Sequence, residues 1–219
     1  MSVVASRSTI QITLACLSPS WRCTHNFNRE SAHLDGLFKK EFVEMAEVDE
    51  NAPPEGWKEK SYTLIFCFST EENGKKRVLL GMKKRGFGCF KYNGFGGKIE
   101  AGETNEEGAL RELQEESSLI ANKLTNRGYL VFKMHDSRKI MKVHVYSCDD
   151  FTGMPTETEE MKPQWFDVDS VPYEKMWLDD KYWLPYLIHE DKNPDNKSIL
   201  GRFDYSDEDT IDDYDVRLV

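Results

Sequence analysis

The sequence predicts a mixed α/β fold. Three observations carry that expectation. Two apolar runs separated by an Asn-Gly turn read as a β-hairpin. A capped, amphipathic stretch near the middle reads as a helix. Further strand-like runs lie on both sides of a second helical stretch near the end.

Residues 62–68 (YTLIFCF) read as a buried strand, and 77–82 (RVLLGM) as its hairpin partner across Glu71-Glu72-Asn73-Gly74. A glycine-punctuated region from Gly86 to Gly102 follows. A helix is expected from about Thr104 to Ser118. Thr104 is its N-cap, Glu107 closes a capping box, and Ala109, Leu110 and Leu113 supply its apolar side. Strands resume at 128–134 and 141–148, the second with Met141, Val143, Val145 and Ser147 on one face. Residues 164–168 read as another strand, 172–177 as a turn or short helix, and 180–189 as a second helix carrying Trp183, Leu184, Leu187 and Ile188. A final strand at 200–205 is expected to lead into an acidic tail.

The folded domain is expected over 60–219, behind an N-terminal extension, 1–59. Residues 1–29 carry Arg7, Arg22 and Arg29 but no acid. That composition fits a mitochondrial transit segment or an untargeted, disordered extension. A short amphipathic helix is expected around 34–48, before the Pro53-Pro54-Glu55-Gly56 breaker.

The net charge is −10, from 39 acidic and 29 basic residues. This argues against a stable nucleic-acid partner, since polyanion binders present a basic field. The five cysteines form no CxxC pair and are odd in number, which argues against a disulfide framework and a structural zinc site. A reducing compartment fits: cytoplasm, with a mitochondrial or nuclear fraction. No apolar run reaches 18 residues, so no membrane span is expected.

Chemistry concentrates in Gly97-Lys-Ile-Glu-Ala-Gly-Glu103 and Arg111-Glu112-Leu113-Gln114-Glu115-Glu116. On a helix Glu112, Glu115 and Glu116 share one face. Clustered carboxylates repel unless a positive charge joins them, and their oxygens suit magnesium, or manganese in its place. Arg111 can bridge loop and helix through Glu103. Read from charge alone, the same face would be a solvated acidic surface; the adjoining Gly94, Gly96, Gly97 and Gly102 argue for a built site.

The spacing from Gly97 through Glu103, Arg111-Glu112-Leu113 and Glu115-Glu116 to Leu119 resembles the Nudix box. Ser118 stands where the family has glycine, at the helix end, where a left-handed conformation is expected. From about Tyr62 to Tyr214 the chain resembles the Nudix hydrolases that clear oxidised purine nucleotides. Its closest stretches begin at Gly81, Asn93 and Met176.

The resemblance implies an α/β/α sandwich with a mixed central sheet. It implies hydrolysis of oxidised or modified purine nucleoside triphosphates, such as 8-oxo-dGTP and 2-hydroxy-dATP, to monophosphate and pyrophosphate by a monomer. It implies a metal set of Gly97, Glu112, Glu115, Glu116 and Glu160, with Lys83 near the phosphates and Arg111 in the catalytic group. It implies a base pocket of Thr63, Asn93, Phe132, Met134, Met141, Trp177, Asp179, Asp180 and Trp183. Trp177 can stack on a purine, and the adjacent aspartates can share one proton. Tyr92, Tyr129 and Met134 depart from the family's residues, which predicts an altered ranking of modified purines. The box is also shared with Nudix enzymes acting on other nucleoside diphosphate-linked substrates and with non-enzymatic nucleotide-binding modules; the base-pocket positions separate these readings.

Overall fold

A computed structural model describes residues 53–219. The segment at 1–29 and the helix at 34–48 lie outside the described residues. Strand β1 (Lys58–Thr70) and β2 (Lys76–Lys83) form the expected antiparallel hairpin, paired from Thr70↔Lys76 to Cys67↔Leu79. Gly74 takes φ +82° and donates its N–H to Glu71 O at 2.8 Å, while the Asn73 side chain accepts from Lys75 N. Trp57, just ahead of the expected boundary at residue 60, packs edge-on against His135 at 5.1 Å.

The other half of β1 takes a different neighbour. Ile65 and Phe95 exchange backbone hydrogen bonds of 2.7 and 2.9 Å, and Thr63 N donates to Gly97 O at 2.9 Å. The glycine-rich segment therefore lies along β1 where β2 has diverged. It also contains the two-residue β3 (Tyr92–Asn93), paired with β2.

Strands β4 (Ile120–Met134), β5 (Lys139–Thr152), β6 (Met161–Asp167), β7 (Ile199–Asp207) and β8 (Thr210–Leu218) complete an eight-stranded sheet ordered β3-β2-β1-β5-β4-β7-β8, with β6 on β2. Pairs β1–β5 and β4–β7 are parallel and the others antiparallel, so the sheet is mixed. Both faces are covered. Helix α1 (Asn105–Ser117) packs Ala109 and Leu113 onto Ile65, Cys67, Leu79 and Phe95. Helices α2 (Asp180–Trp183) and α3 (Pro185–Ile188) cover Leu64, Phe66, Leu80, Val143 and Val145 on the opposite face. The result is the expected α/β/α sandwich.

Four local expectations change. The alternation in β5 does not separate core from solvent: Tyr146 and Cys148 on its other face are also buried, in the cluster that α1 covers, and Ile140 on that face is buried as well. Leu110 is exposed rather than core-facing. The second helix is divided because Pro185 has no N–H to continue the ladder. The acidic tail is strand β8. Its charges sit on a sheet edge, where Arg202 pairs with Asp213 and Arg217 with Asp215, each at 2.6 Å, while Ile211, Val216 and Leu218 pack inward.

Helix α1 starts and stops as its sequence dictates. The Thr104 side chain accepts from Glu107 N, and the Glu107 carboxylate accepts from Thr104 N at 2.8 Å. At the other end Ser118 has φ 63° and ψ 11°, the left-handed region, with its N–H bonded to Gln114 O. That conformation costs a non-glycine residue about 1 kcal/mol.

Candidate active site

Two glycines let the catalytic loop approach. A Cβ at Gly96 would stand 2.0 Å from Thr63 O, and one at Gly97 would stand 2.5 Å from the Glu112 carboxylate. The first obstacle is backbone of β1 and cannot yield; the second is the end of the Glu112 side chain, which would have to leave its place beside the loop. The loop thus places Gly96 N–H on Glu116 Oε2 at 2.8 Å.

Arg111 ties this loop to α1. Its Nε and Nη2 donate to the two oxygens of Glu103 at 2.7 and 3.0 Å, and Nη2 also reaches Lys98 O at 3.0 Å. Its Nη1 meets Glu112 at 2.9 Å and Glu115 at 3.4 Å. The guanidinium, with help from Glu100 N–H, holds the Glu103 carboxyl down to about 2.

The glutamates differ in exposure. Glu116 is only 3% exposed. Burial pushes its carboxyl up to about 8, against the Gly96 N–H and the Lys83 charge, which pull it down. Glu112 is half-buried, and burial raises it too, opposed by Arg111. Glu115 has a side chain 61% exposed. Glu160, in the loop before β6, is held by Lys83 at 3.1 Å and Arg85 at 3.6 Å.

The carboxylates expected to form one metal set are therefore not gathered. Among the described residues no three acidic, His or Cys side chains stand close enough to share an ion. The physical reason is repulsion. Glu112 is paired with Arg111 and Glu160 with Lys83. The residues nevertheless fit a hard divalent cation. The donor set is all oxygen. Burial disfavours the ionised form of Glu116, and added positive charge would restore it. Gly97 leaves open the space directly beside the Glu112 carboxylate.

The expected base-pocket residues divide between the faces of the sheet. Thr63 lies on the α1 side with Ile65 and Cys67, and its buried Oγ1 has no hydrogen-bond partner. Phe132, Met134 and Met141 lie on the opposite side, in two rows across the sheet: Met141–Phe132–Phe203 and Lys139–Met134–Tyr205. The second row ends at the aspartates, where Tyr205 O–H donates to Asp179 Oδ1 at 2.7 Å. Trp183 is fully buried against Phe66 at 5.7 Å, and its indole N–H donates to Asp179 Oδ2 at 2.9 Å. Trp183 is thus a core residue that orients Asp179 rather than an open pocket wall.

Asp180 Oδ2 accepts from Trp177 N at 3.0 Å. Both aspartates are buried and both carboxyls are raised by that burial; Asp180 is raised further by the adjacent Asp179 charge. Asp179 has two side-chain donors to stabilise its charge, whereas Asp180 has a single backbone donor. Trp177 stacks on Phe87 at 4.7 Å and has the Lys91 ammonium 4.9 Å from its ring. The Lys83–Lys91 loop is closed by Lys83 N–H to Lys91 O and Phe90 N–H to Lys83 O, joining the two halves of the site. Asn93 sits in β3, its Oδ1 accepting from Gly94 N.

Sequence reasoning missed Tyr205, Phe87 and Lys91. Tyr205 is legible only as the end of an apolar strand, and the other two lie in the glycine-punctuated region, where no local pattern marks them.

A NUDIX domain profile matches residues 63–187. The chain is 46% identical over 158 residues to the oxidized purine nucleoside triphosphate hydrolase of Mus musculus, covering 72% of this chain and 94% of that protein. It is 46% identical over 135 residues to the Danio rerio protein of the same name, covering 62% and 83%. A crystal structure of a mutator MutT protein from Bacillus halodurans superimposes with TM-score 0.60 at 22% identity, over 72% of this chain and 97% of the other, a likeness of fold. With its glutamate helix, its glycine loop and more than half its length matched by the profile, the chain belongs to the NUDIX family.

Proposed function

We propose that this protein hydrolyses oxidised purine nucleoside triphosphates to the nucleoside monophosphate and pyrophosphate, with magnesium at the carboxylates of α1. The observation that carries the base specificity is the buried Asp179–Asp180 pair beside Trp177. One ionised and one protonated carboxyl can accept from and donate to the same edge of a modified purine. The similarity to the mouse and zebrafish hydrolases supports the substrate class.

Nudix hydrolases generally use a divalent cation; magnesium is our assignment, with Glu112, Glu116 and Glu160 as its holders and Gly97 and Glu115 beside them. When bound, the cation neutralises phosphate oxygens and eases deprotonation of the attacking water. Glu116 would hold the cation as the carboxylate, its proton passing to solvent. Glu160 would exchange its pairing with Lys83 for the cation, which would free that ammonium for the phosphate chain. Arg111 remains on Glu103 and keeps loop and helix in register.

The test is kcat/KM for 8-oxo-dGTP, 2-hydroxy-dATP, O6-methyl-dGTP and dGTP, with magnesium and after chelation, with products followed by phosphorus NMR. At least one oxidised purine should exceed dGTP by about tenfold, or about 1.4 kcal/mol. Chelation should abolish turnover. Equal rates on all four, or a product other than pyrophosphate, would refute the substrate assignment.

A further inference from the structure

A cavity of about 330 Å³ lies far from the catalytic loop, within the size range of small-molecule sites. Phe68 on β1 forms one wall. It stands five residues along the strand from Thr63, about 17 Å away, and on the opposite face of the sheet. Arg127, Lys76, His189, Asp149 and Glu190 also line the cavity.

The charges around this cavity are not equivalent. Lys76 shares its charge with Glu190 at 3.3 Å and lies 5.0 Å from the Phe68 ring. Glu190 is at the rim, its side chain 88% exposed. His189 Nδ1 is 3.8 Å from Asp169. Arg127 differs from all of them. It is the extra residue at the β4 bulge, between the Asn126↔Tyr146 and Gly128↔Val145 pairs. Its Nε is buried and meets no acceptor, and it joins no ion pair among the described residues. A guanidinium is a planar fork of donors matched to oxyanions, and a buried N–H of that fork left without an acceptor, on a residue that is itself half-buried, is unusual. The wall beside it is held in shape, with the Asn193 side chain bonded to both Lys197 N and Lys197 O at 2.9 and 2.8 Å.

We propose that this cavity is a second ligand site, taking a small phosphate monoester whose oxygens seat on Arg127. Lys76 and His189 are the outer donors, and Phe68 is the apolar wall. The carboxylates of Asp149 and Glu190 disfavour a triphosphate, so the site selects a ligand of lower charge than the proposed catalytic substrate.

The test follows the Arg127 Nε–Hε NMR signal of the full chain, without divalent cations, during separate titrations. The probes are inorganic phosphate, a purine nucleoside monophosphate and succinate. The signal is assigned by its loss in Arg127→Gln. A saturable shift with phosphate or the monophosphate is expected, and the stronger of the two identifies the natural source. Arg127→Gln should weaken binding, read from neighbouring backbone signals, by about tenfold or more, the usual scale for a charge-assisted hydrogen bond. Lys76→Gln, a change near the surface, should weaken it less while leaving the fold intact. Turnover of an oxidised purine triphosphate should stay within about twofold in both variants. No shift with any probe, a shift with succinate alone, or phosphate-induced shifts confined to Gly96, Gly97 and Lys83 would overturn the proposal. Unchanged binding in Lys76→Gln with an unmoved Arg127 signal would do the same.

Discussion

The carboxylates of α1 and those of the Asp179–Asp180 pair are stabilised in opposite ways. Around α1 the partners are mostly ionic: Arg111 on Glu112 and Lys83 on Glu160. Exposure there grades from buried Glu116 to open Glu115. At the aspartates the partners are neutral: a buried indole N–H, a buried phenol O–H and a part-buried backbone N–H. Ionic partners near solvent exchange readily when a cation or phosphate arrives, because the pairs are partly screened. Buried neutral donors do not, because each one left unpaired costs about 1–3 kcal/mol. One half of the site is arranged to change partners during the reaction and the other to hold its geometry.

The largest expected effect comes from removing charge where partners change. Glu116→Gln keeps an acceptor for Gly96 N–H but loses the ionisable oxygen. Turnover should fall by at least about 100-fold with the fold retained, since metal-site substitutions have effects of that order. Near-normal kcat in a folded variant would take Glu116 out of the mechanism.

The aspartates should separate from each other. Asp179→Asn puts an amide NH₂ against either Trp183 N–H or Tyr205 O–H. Stability should drop by about 1–3 kcal/mol, and kcat/KM on oxidised purines by roughly 5- to 150-fold. Asp180→Asn imitates the protonated carboxyl, so its loss of stability should be smaller and its effect confined to base selection. Thermal melts, kcat/KM across the purine panel and magnesium titrations distinguish these outcomes. Equal losses on every substrate together with a greatly raised magnesium requirement would assign the pair to the metal centre.

The smallest effect is a linkage. Glu116 has its carboxyl near 8 in the folded chain, above the ordinary glutamate value. The folded state therefore binds this proton more tightly than the unfolded state. Its contribution to stability is fully present below the unfolded pKa and is lost as pH rises through about 8. A cation that needs the ionised carboxylate must displace the proton. Magnesium affinity should rise by up to about tenfold per pH unit below 8 and flatten above it. Calorimetry in buffers of different ionisation enthalpy would read the released proton. Affinity independent of pH between about 6 and 8 would break the contrast with the aspartates.

Local chemistry was the legible part of the sequence. The Asn73-Gly74 turn, the Thr104–Glu107 capping box, the left-handed Ser118 and the Arg111–Glu103 bridge all depend on residues close in the chain. What escaped depends on long-range pairing. Strand β8 reads as an acidic tail because its aspartates dominate its composition, yet β7 supplies an edge for it to pair with. Tyr205 reaches Asp179 across 26 residues, a contact that no local pattern encodes. Thr63 was read with the base pocket; the alternation of β1 puts it with α1, a distinction that needs the position of the helix.

The tight seat of Gly96 and Gly97 has a consequence for mutational tolerance. Any side chain at either position collides with β1 backbone or with the Glu112 carboxylate. In a saturation screen scored on activity, every missense change at Gly96 should behave as a null, while changes at Gly97 should act by displacing the Glu112 carboxylate. Such a screen would rank Gly96 with the glutamates even if it contributed no atom to the reaction. Exposed Glu115, although part of the same motif, should accept several replacements. Tolerance in this enzyme should follow the space around each residue as much as its chemical role.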